Sequence, residues 1–349
     1  MTAAAEAWSD ERRLPLEEVE AGLARVLRAE GVPAEDARVT AVHLVEGTAR
    51  GYVLHGVERI FEILDGFRHE TLVPVARPRR VLDAPAFVVL DAERGLGAPI
   101  AAEAMRLAIE RARQAGIAAV GVGNAGHLGI LAPWAERAAA AGQLGIVMTT
   151  TSPAVVMPGG RTAVLGTNPI AYAFPMGGTI VTADFSTAAI TRGVLLDHRD
   201  REAPLPAGVA VDEHGLPTTD AEAALRGGLL PLGGTLKGGL LSLLVSVIAG
   251  PLVGAVANHH ITGTRWMNSP PNKGDIFIAI DVAQLTDVST FESEMESFFA
   301  HMREDAPALY VPGEGSRARR ADAERNGIPV TERLDALLRS RPGRSLEPE

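Results

Sequence analysis

The stretch 117-IAAVGVGNAGHLG-129 decides how this chain folds. An apolar run leads into GVGNAG, residues 121–126, which satisfies G-x-G-x-x-G between a strand and a helix. Taken alone, that match predicts a Rossmann turn with a pyrophosphate on the helix N-terminus. Two neighbours argue against it. The next strand, LGIVMTTTS, ends in threonines where a Rossmann unit wants an acidic residue for the ribose. The helix LAPWAERAAAAG carries Pro133 in its first turn, so it starts well beyond the last glycine. The glycines therefore read as a strand-to-helix loop that delivers His127 to an element edge, where ligands commonly sit. Such a loop can receive a nucleotide without a Rossmann domain.

On either side of the loop the texture is mixed. Upstream, VLDAPAFVVLDAERG reads as a strand and AAEAMRLAIERARQAG as a helix. Downstream, LGIVMTT, AYAFP, TIVTADF and DIFIAID read as strands, with irregular Gly/Pro loops that discourage a doubly wound sheet. The ends are helical. PLEEVEAGLARVLRAEG has helical apolar spacing stopped by Gly31, and 35–50 and 56–66 continue the pattern. FESEMESFFAHMRED, GSRARRADAERNG and TERLDALLRS do the same at the other end. The expected architecture is α/β: a helical domain built from 14–75 and 288–340 and a mixed-sheet, non-Rossmann region over 76–287. Residues 1–13 and 341–349 are expected to be disordered.

Composition excludes several classes. The 349 residues are 46% hydrophobic, ample for a core, with net charge −10 and no long basic stripe, which argues against nucleic acid and anionic membranes. The absence of cysteine excludes disulfides, thiolate metal sites and a catalytic Cys. MTAAAEAWSDERR lacks an apolar signal-peptide core, so a cytoplasmic location is the default expectation. GGLLSLLVSVIAGPLVGAVAN, 238–258, is uncharged and long enough for a membrane span. Gly250-Pro251 near its middle, and the lack of an aromatic belt, favour a helix buried inside a soluble domain instead. The pair His259-His260 has no third ligand at sensible spacing. It reads as a helix C-terminal cap, and no metal site is expected.

A second stretch, 51-GYVLHGVERI-60, places His55 four residues before Arg59 in what reads as one helix, so both would project from one face. A capped helix end with a surface cation would explain that pair. Seven ordered motifs say more: HGVERI, GNAGHLG, MPGG…LGTNPIAYAFP, TADFST, PLGGTLKGG, DIFIAID and VPGE. Together, and above all through GTNP followed by LKGG and PGE, they resemble the malate/L-lactate dehydrogenase family of the sulfolactate dehydrogenase type over roughly residues 15–335. That group includes ureidoglycolate dehydrogenases, diketogulonate reductases and cyclic-imine carboxylate reductases.

The resemblance implies a non-Rossmann, NAD- or NADP-dependent oxidoreductase, usually a homodimer, acting on 2-oxo acids or related 2-imino acids. It implies His55 as proton donor or acceptor and Arg59 as the holder of the substrate carboxylate, with Leu54 and Thr167 beside the substrate. Cofactor contacts fall on His127, Leu128 and Gly129, on Thr151, on Thr182, Asp184, Phe185 and Ser186, on Lys237, and on Gly313 and Glu314. The residue types suit the chemistry. Hydride addition to a 2-oxo acid develops alkoxide charge, which an imidazolium stabilises and quenches with a proton. An arginine fork binds a carboxylate bidentately and fixes the carbonyl carbon. His127 is the competing acid/base, since in some relatives the second histidine has that role.

Two positions depart from the family pattern. Leu54 stands where a serine usually precedes the histidine, and Val194, in the loop ITRGVLL, occupies an acidic position of the cyclic-imine reducers. Both ends of that proton relay are apolar, which weakens the imine branch and takes a usual helper from the keto-acid branch too; either Leu54 accommodates an apolar substrate group or the protein is a slow or divergent member. A 2-imino acid reductase, and a divergent dinucleotide-binding member with little activity, remain as alternatives.

Overall fold

The computed structural model describes residues 12–262, 269–306 and 308–340. Strand β1 (Arg12–Leu14) leads into helices α1 (Leu16–Ala29) and α2 (Ala34–Ala49). Pro15 and Pro33 stand immediately before the two helices at φ near −55°, a backbone already set for helix entry. Val19, Leu23 and Leu27 form the buried stripe of α1 at helical spacing. A single 3₁₀ turn, Val53–His55, precedes α3 (Arg59–Arg68). His55 and Arg59 therefore do not share a helix. Gly56, extended at φ −100° and ψ −149°, breaks the chain between them, and a side chain there would collide with the Thr48 hydroxyl. That hydroxyl accepts the Val57 N–H at 3.0 Å and pins the break.

The central layer begins with β2 (Arg79–Asp83) and β3 (Phe87–Asp91). VLDAPAFVVLDAERG is thus an antiparallel pair turning at 84–86 rather than one strand. Next come α4 (Gly97–Ala115), β4 (Ile117–Gly123), α5 (Ala132–Ala140) and β5 (Gln143–Thr149), then β6 (Val155–Val156), β7 (Ala163–Leu165), β8 (Ile170–Met176) and β9 (Thr179–Phe185). A lateral segment follows, with α6 (Arg192–Asp200), β10 (Ala210–Val211), α7 (Ala221–Arg226) and β11 (Gly228–Leu229). It leads to α8 (Leu236–Ala249) and β12 (Gly274–Asp281). The seven-stranded sheet runs β2-β3-β4-β12-β5-β8-β9, and only β3 and β4 pair in parallel. Strands β4 and β5, joined through α5, are both antiparallel to β12, which lies between them. That insertion removes the adjacent parallel pair on which a Rossmann turn depends. Of the motif glycines, Gly121 makes room for Val253 and Gly123 faces open space.

Alternation along the strands builds two cores. Phe277 and Ala279 of β12 face α4 and α5 with Val120 and Trp134, while Ile276 and Ile278 face α8 with Met148 and Val245. A four-stranded sheet, β10-β11-β6-β7, packs with α6 and α7 as a smaller lateral unit. ITRGVLL is not a loop, because Thr191 caps α6 and its hydroxyl accepts the Val194 N–H at 3.2 Å.

After α9 (Val282–Leu285), α10 (Val288–Asp305) lies against β8, with Phe291 edge-on to Phe174. Helices α11 (Glu314–Asn326) and α12 (Glu332–Arg339) instead join α1 and α2, and β13 (Ile328–Val330) between them pairs with β1. Arg12 and Arg13, expected to be disordered, belong to that ribbon, and Arg12 pairs with Asp335 at 2.9 Å. The rest of the expected disorder, 1–11 and 341–349, lies outside the described residues.

Helix α8 corrects an expectation. It is not buried all round: it turns Gly238, Gly239, Ser242, Ser246 and Ala249 inward and leaves Leu240, Leu243, Leu244 and Val247 each about half exposed. The Gly250-Pro251 step ends it. His259 and His260 lie far past that end, exposed in a 3₁₀ turn, so they cap no helix.

Candidate active site

The glycine loop and the 3₁₀ turn bring two histidines face to face. The rings of His55 and His127 lie 5.2 Å apart at 15°, a stacked pair. Gly129, at φ +73°, folds the loop back so that its N–H donates to His127 Nδ1 at 2.8 Å. With Nδ1 accepting, a neutral His127 carries its proton on Nε2. Burial holds the His127 pKa well below the usual histidine range, and the charge of Arg59 and the His55 ring push the same way. His127 is therefore neutral at physiological pH.

Arg59 is buried beside them at the start of α3. Glu62 holds one edge of its guanidinium at 2.6 Å, and Nη1 reaches the Leu54 carbonyl at 3.5 Å. Arg59, Glu62, His127 and Gly129 line a common small cavity of about 30 Å³, room for a water or two. His43 lines it as well, and the sequence reading missed it because it lies on the apolar face of α2. Its ring stacks on Trp134 at 4.3 Å and hydrogen-bonds the Leu128 backbone, which also accepts from Trp134 Nε1 at 3.2 Å. Two rings thus clamp the loop that presents His127.

A second group gathers at the ends of β5, β7 and β9. The Thr151 hydroxyl accepts the Thr167 N–H at 2.9 Å, and the Ser186 hydroxyl donates to the Thr167 carbonyl at 3.0 Å. Beneath them lies a polar hub. Asn168, fully buried at φ +34°, donates to Ser246 at 2.8 Å and accepts from Asn258 at 2.8 Å and the Thr151 N–H at 3.3 Å. Ser242, Ser246 and Asn258 were illegible in the sequence, since they come from a helix and a turn far along the chain.

The remaining candidates divide. Thr182 and Gly313 meet: the Thr182 N–H donates to the Pro312 carbonyl at 3.1 Å, and a Cβ on Gly313 would press on Thr182. The Asp184 carboxylate accepts the Leu131 and Ala132 N–H groups at 2.8 and 2.9 Å, which ties β9 to the start of α5. Burial raises its pKa to about 6 against those two hydrogen bonds. Phe185 ends β9 opposite Ile170. Glu314 is engaged by Arg303 at 3.0 Å and the Val311 N–H at 3.2 Å. Lys237 stands exposed in the first turn of α8, with no ion pair among the described residues.

The sequence reading also missed a buried pair. Lys273 Nζ meets both oxygens of Asp275 at 2.5 and 2.6 Å, and the Thr149 hydroxyl donates to the same carboxylate. Neither charge would be tolerated there alone. The Lys273 carbonyl accepts the Asn124 N–H at 3.2 Å, which fixes the left-handed residue at the head of the glycine loop. No group of three His, Asp or Glu side chains placed for a metal occurs among the described residues.

A dinucleotide fits these surfaces. The Thr182 hydroxyl is buried with no hydrogen-bond partner among the described residues, which leaves it a polar atom for a ligand to satisfy, and the side-chain-free Gly313 lies against the same residue. The class is an oxidoreductase built on a mixed sheet rather than on a Rossmann unit. The chain belongs to the malate/L-lactate dehydrogenase family, whose model matches residues 14–338, and it is an NAD(P)-dependent enzyme of that kind. It is 34% identical over 323 residues to the malate/(S)-sulfolactate dehydrogenase of Methanothermus fervidus, covering 93% of this chain and 95% of that one. It is 31% identical over 330 residues to a Delta(1)-pyrroline-2-carboxylate/Delta(1)-piperideine-2-carboxylate reductase of Pseudomonas aeruginosa, covering 93% and 98%. Its fold matches the sulfolactate dehydrogenase of Methanocaldococcus jannaschii with a TM-score of 0.88 at 32% identity, over 94% and 95% of the two chains.

Proposed function

We propose that the protein reversibly reduces a 2-oxo acid to the 2-hydroxy acid, with His55 as the proton donor and Arg59 as the carboxylate anchor. The observation that carries this reading is the stacked His55–His127 pair with Arg59 beside it. Bound NAD(P)H supplies the hydride, and so the electron pair, to C2. His55 gives its proton to the C2 oxygen, so one keto acid, one hydride and one proton become one hydroxy acid. His127, neutral with Nε2–H, donates a hydrogen bond to that oxygen as charge develops on it. Arg59, fixed by Glu62, presents its fork to the carboxylate and turns encounter into a positioned, near-unimolecular step. Thr167 and Leu54 border the substrate. Thr151, Thr182, Asp184, Phe185, Ser186, Lys237, Gly313, Glu314 and the loop His127–Gly129 line the dinucleotide side.

The enzyme works as a cytoplasmic homodimer on this reading. The half-exposed leucines of α8 support a dimer, because an isolated chain gains nothing by presenting a contiguous apolar stripe to water. The break at Gly250-Pro251 and the inward-facing serines favour that use of α8 over a membrane span. The test is NADH and NADPH oxidation against a panel of 2-oxo acids and preformed cyclic imines. Turnover of imines alone would overturn the keto-acid assignment. Cofactor binding without turnover of any substrate would leave a dinucleotide-binding protein in its place.

A further inference from the structure

Leu54, the residue before His55, meets the first turn of α6 in space. Leu54 is 45% exposed beside His55, and its Cδ1 fills the space directly over Gly193, where a Cβ would stand. Val194, the next residue, is 38% exposed in the first turn of α6. The Thr191 hydroxyl of that turn is taken up in capping the helix, and Arg192 is engaged in an interaction of its own. The Leu54 carbonyl faces Arg59 at the other end of the same residue. One residue thus links the carboxylate anchor to an apolar lip. A substrate whose carboxylate lies on Arg59 and whose C2 lies at His55 directs its C2 substituent along Leu54 toward Val194.

We propose that this lip selects 2-oxo acids with an uncharged apolar substituent larger than methyl, branched aliphatic or aryl, and rejects short dicarboxylates. The proposal rests on the reduction reading above. A second acid group placed against two aliphatic side chains would lose its water without gaining a hydrogen bond, whereas an alkyl group gains by burial. Gly193 is part of the device: any side chain there would displace Leu54 from the lip.

The test compares kcat/KM for 4-methyl-2-oxopentanoate, phenylpyruvate and oxaloacetate, with pyruvate as the small reference. The expected preference for the first two over oxaloacetate is about 10- to 100-fold, the range that apolar-pocket contacts usually supply. Leu54→Ser combined with Val194→Lys should invert the ratio of oxaloacetate to 4-methyl-2-oxopentanoate, and Gly193→Ala, which dislodges Leu54 without adding charge, should shrink it. Equal or better use of oxaloacetate by the native protein would overturn the proposal, as would ratios unmoved in both variants. Binding decides the matter independently of turnover. Titrating the NAD(P)H complex with 2-hydroxy-4-methylpentanoate and with malate should show tighter binding of the former, even if no 2-oxo acid is reduced. Failure of turnover with that binding order intact rejects the reduction reading alone, whereas tighter malate binding rejects the lip.

Discussion

The imidazole rings of His55 and His127 stack at 5.2 Å although the two residues come from distant parts of the sequence.

 The pair joins a 3₁₀ turn to the glycine loop. Replacing His55 by Ala should lower kcat by about 10²- to 10⁴-fold, the usual cost of losing a positioned acid. NAD(P)H binding should persist, because the role proposed for the residue is toward substrate. Steady-state kinetics with fluorescence titration of the cofactor checks both, and full activity in His55→Ala would pass the acid role to His127.

Arg59→Lys keeps the charge but loses the planar fork. KM for the carboxylate substrate should rise by the equivalent of one charge-assisted hydrogen bond, about 1.5–3 kcal/mol, with cofactor affinity nearly intact. An unchanged KM removes Arg59 from the substrate.

The loop glycines should separate by position. Gly123 faces open space, so Gly123→Ala should be mild for cofactor affinity. Gly129 combines φ +73° with a Cβ direction that runs into His43 Nε2, so Gly129→Ala should disturb the His127 loop and slow catalysis. The reverse order, measured by NAD(P)H titration and turnover, would restore a phosphate-turn role to Gly123.

His43 makes stability depend on pH. Burial lowers its pKa to about 3, so the unfolded chain binds a proton that the native protein refuses. Stability from this group is complete above the ordinary histidine pKa and falls as pH drops from about 6.5 toward about 3. Between about pH 7 and about pH 5 the loss should be about 2 kcal/mol. His127 acts in the same direction. Asp184, with its raised pKa, acts in the opposite one: its native form binds a proton that the unfolded chain has already lost. Comparing His43→Gln with the native protein by thermal melting at both pH values isolates the His43 part, and identical pH slopes would refute it.

The α8 stripe predicts the oligomeric state. Leu240→Glu with Leu244→Glu puts charge one turn apart on the exposed face, where folding tolerates it. Light scattering at micromolar concentration should show the mass drop from two chains to one. A native protein that is already monomeric, or a variant that stays dimeric, would place the interface elsewhere.

Much of this molecule was legible in one dimension. Periodicity located the long helices and most strands of the seven-stranded sheet, though not α6, α7 or the short strands outside that sheet, because apolar spacing follows directly from the side-chain directions of a long element. The threonines after LGIVM and the late proline were enough to reject the Rossmann turn, and the ordered motifs carried the family. What the sequence could not decide was adjacency. It could not show that β12 runs antiparallel between β4 and β5, or that Gly56 separates His55 from Arg59. It could not show that α8 turns its glycines and serines inward and its leucines out, since a helix apolar all round carries no periodic signal to orient it. His43, Asn168 and the Lys273–Asp275 pair stayed hidden for a related reason. His43 and Asn168 find their partners in remote segments, and the neighbouring Lys273 and Asp275 pair in a buried place that exists only once the chain has packed.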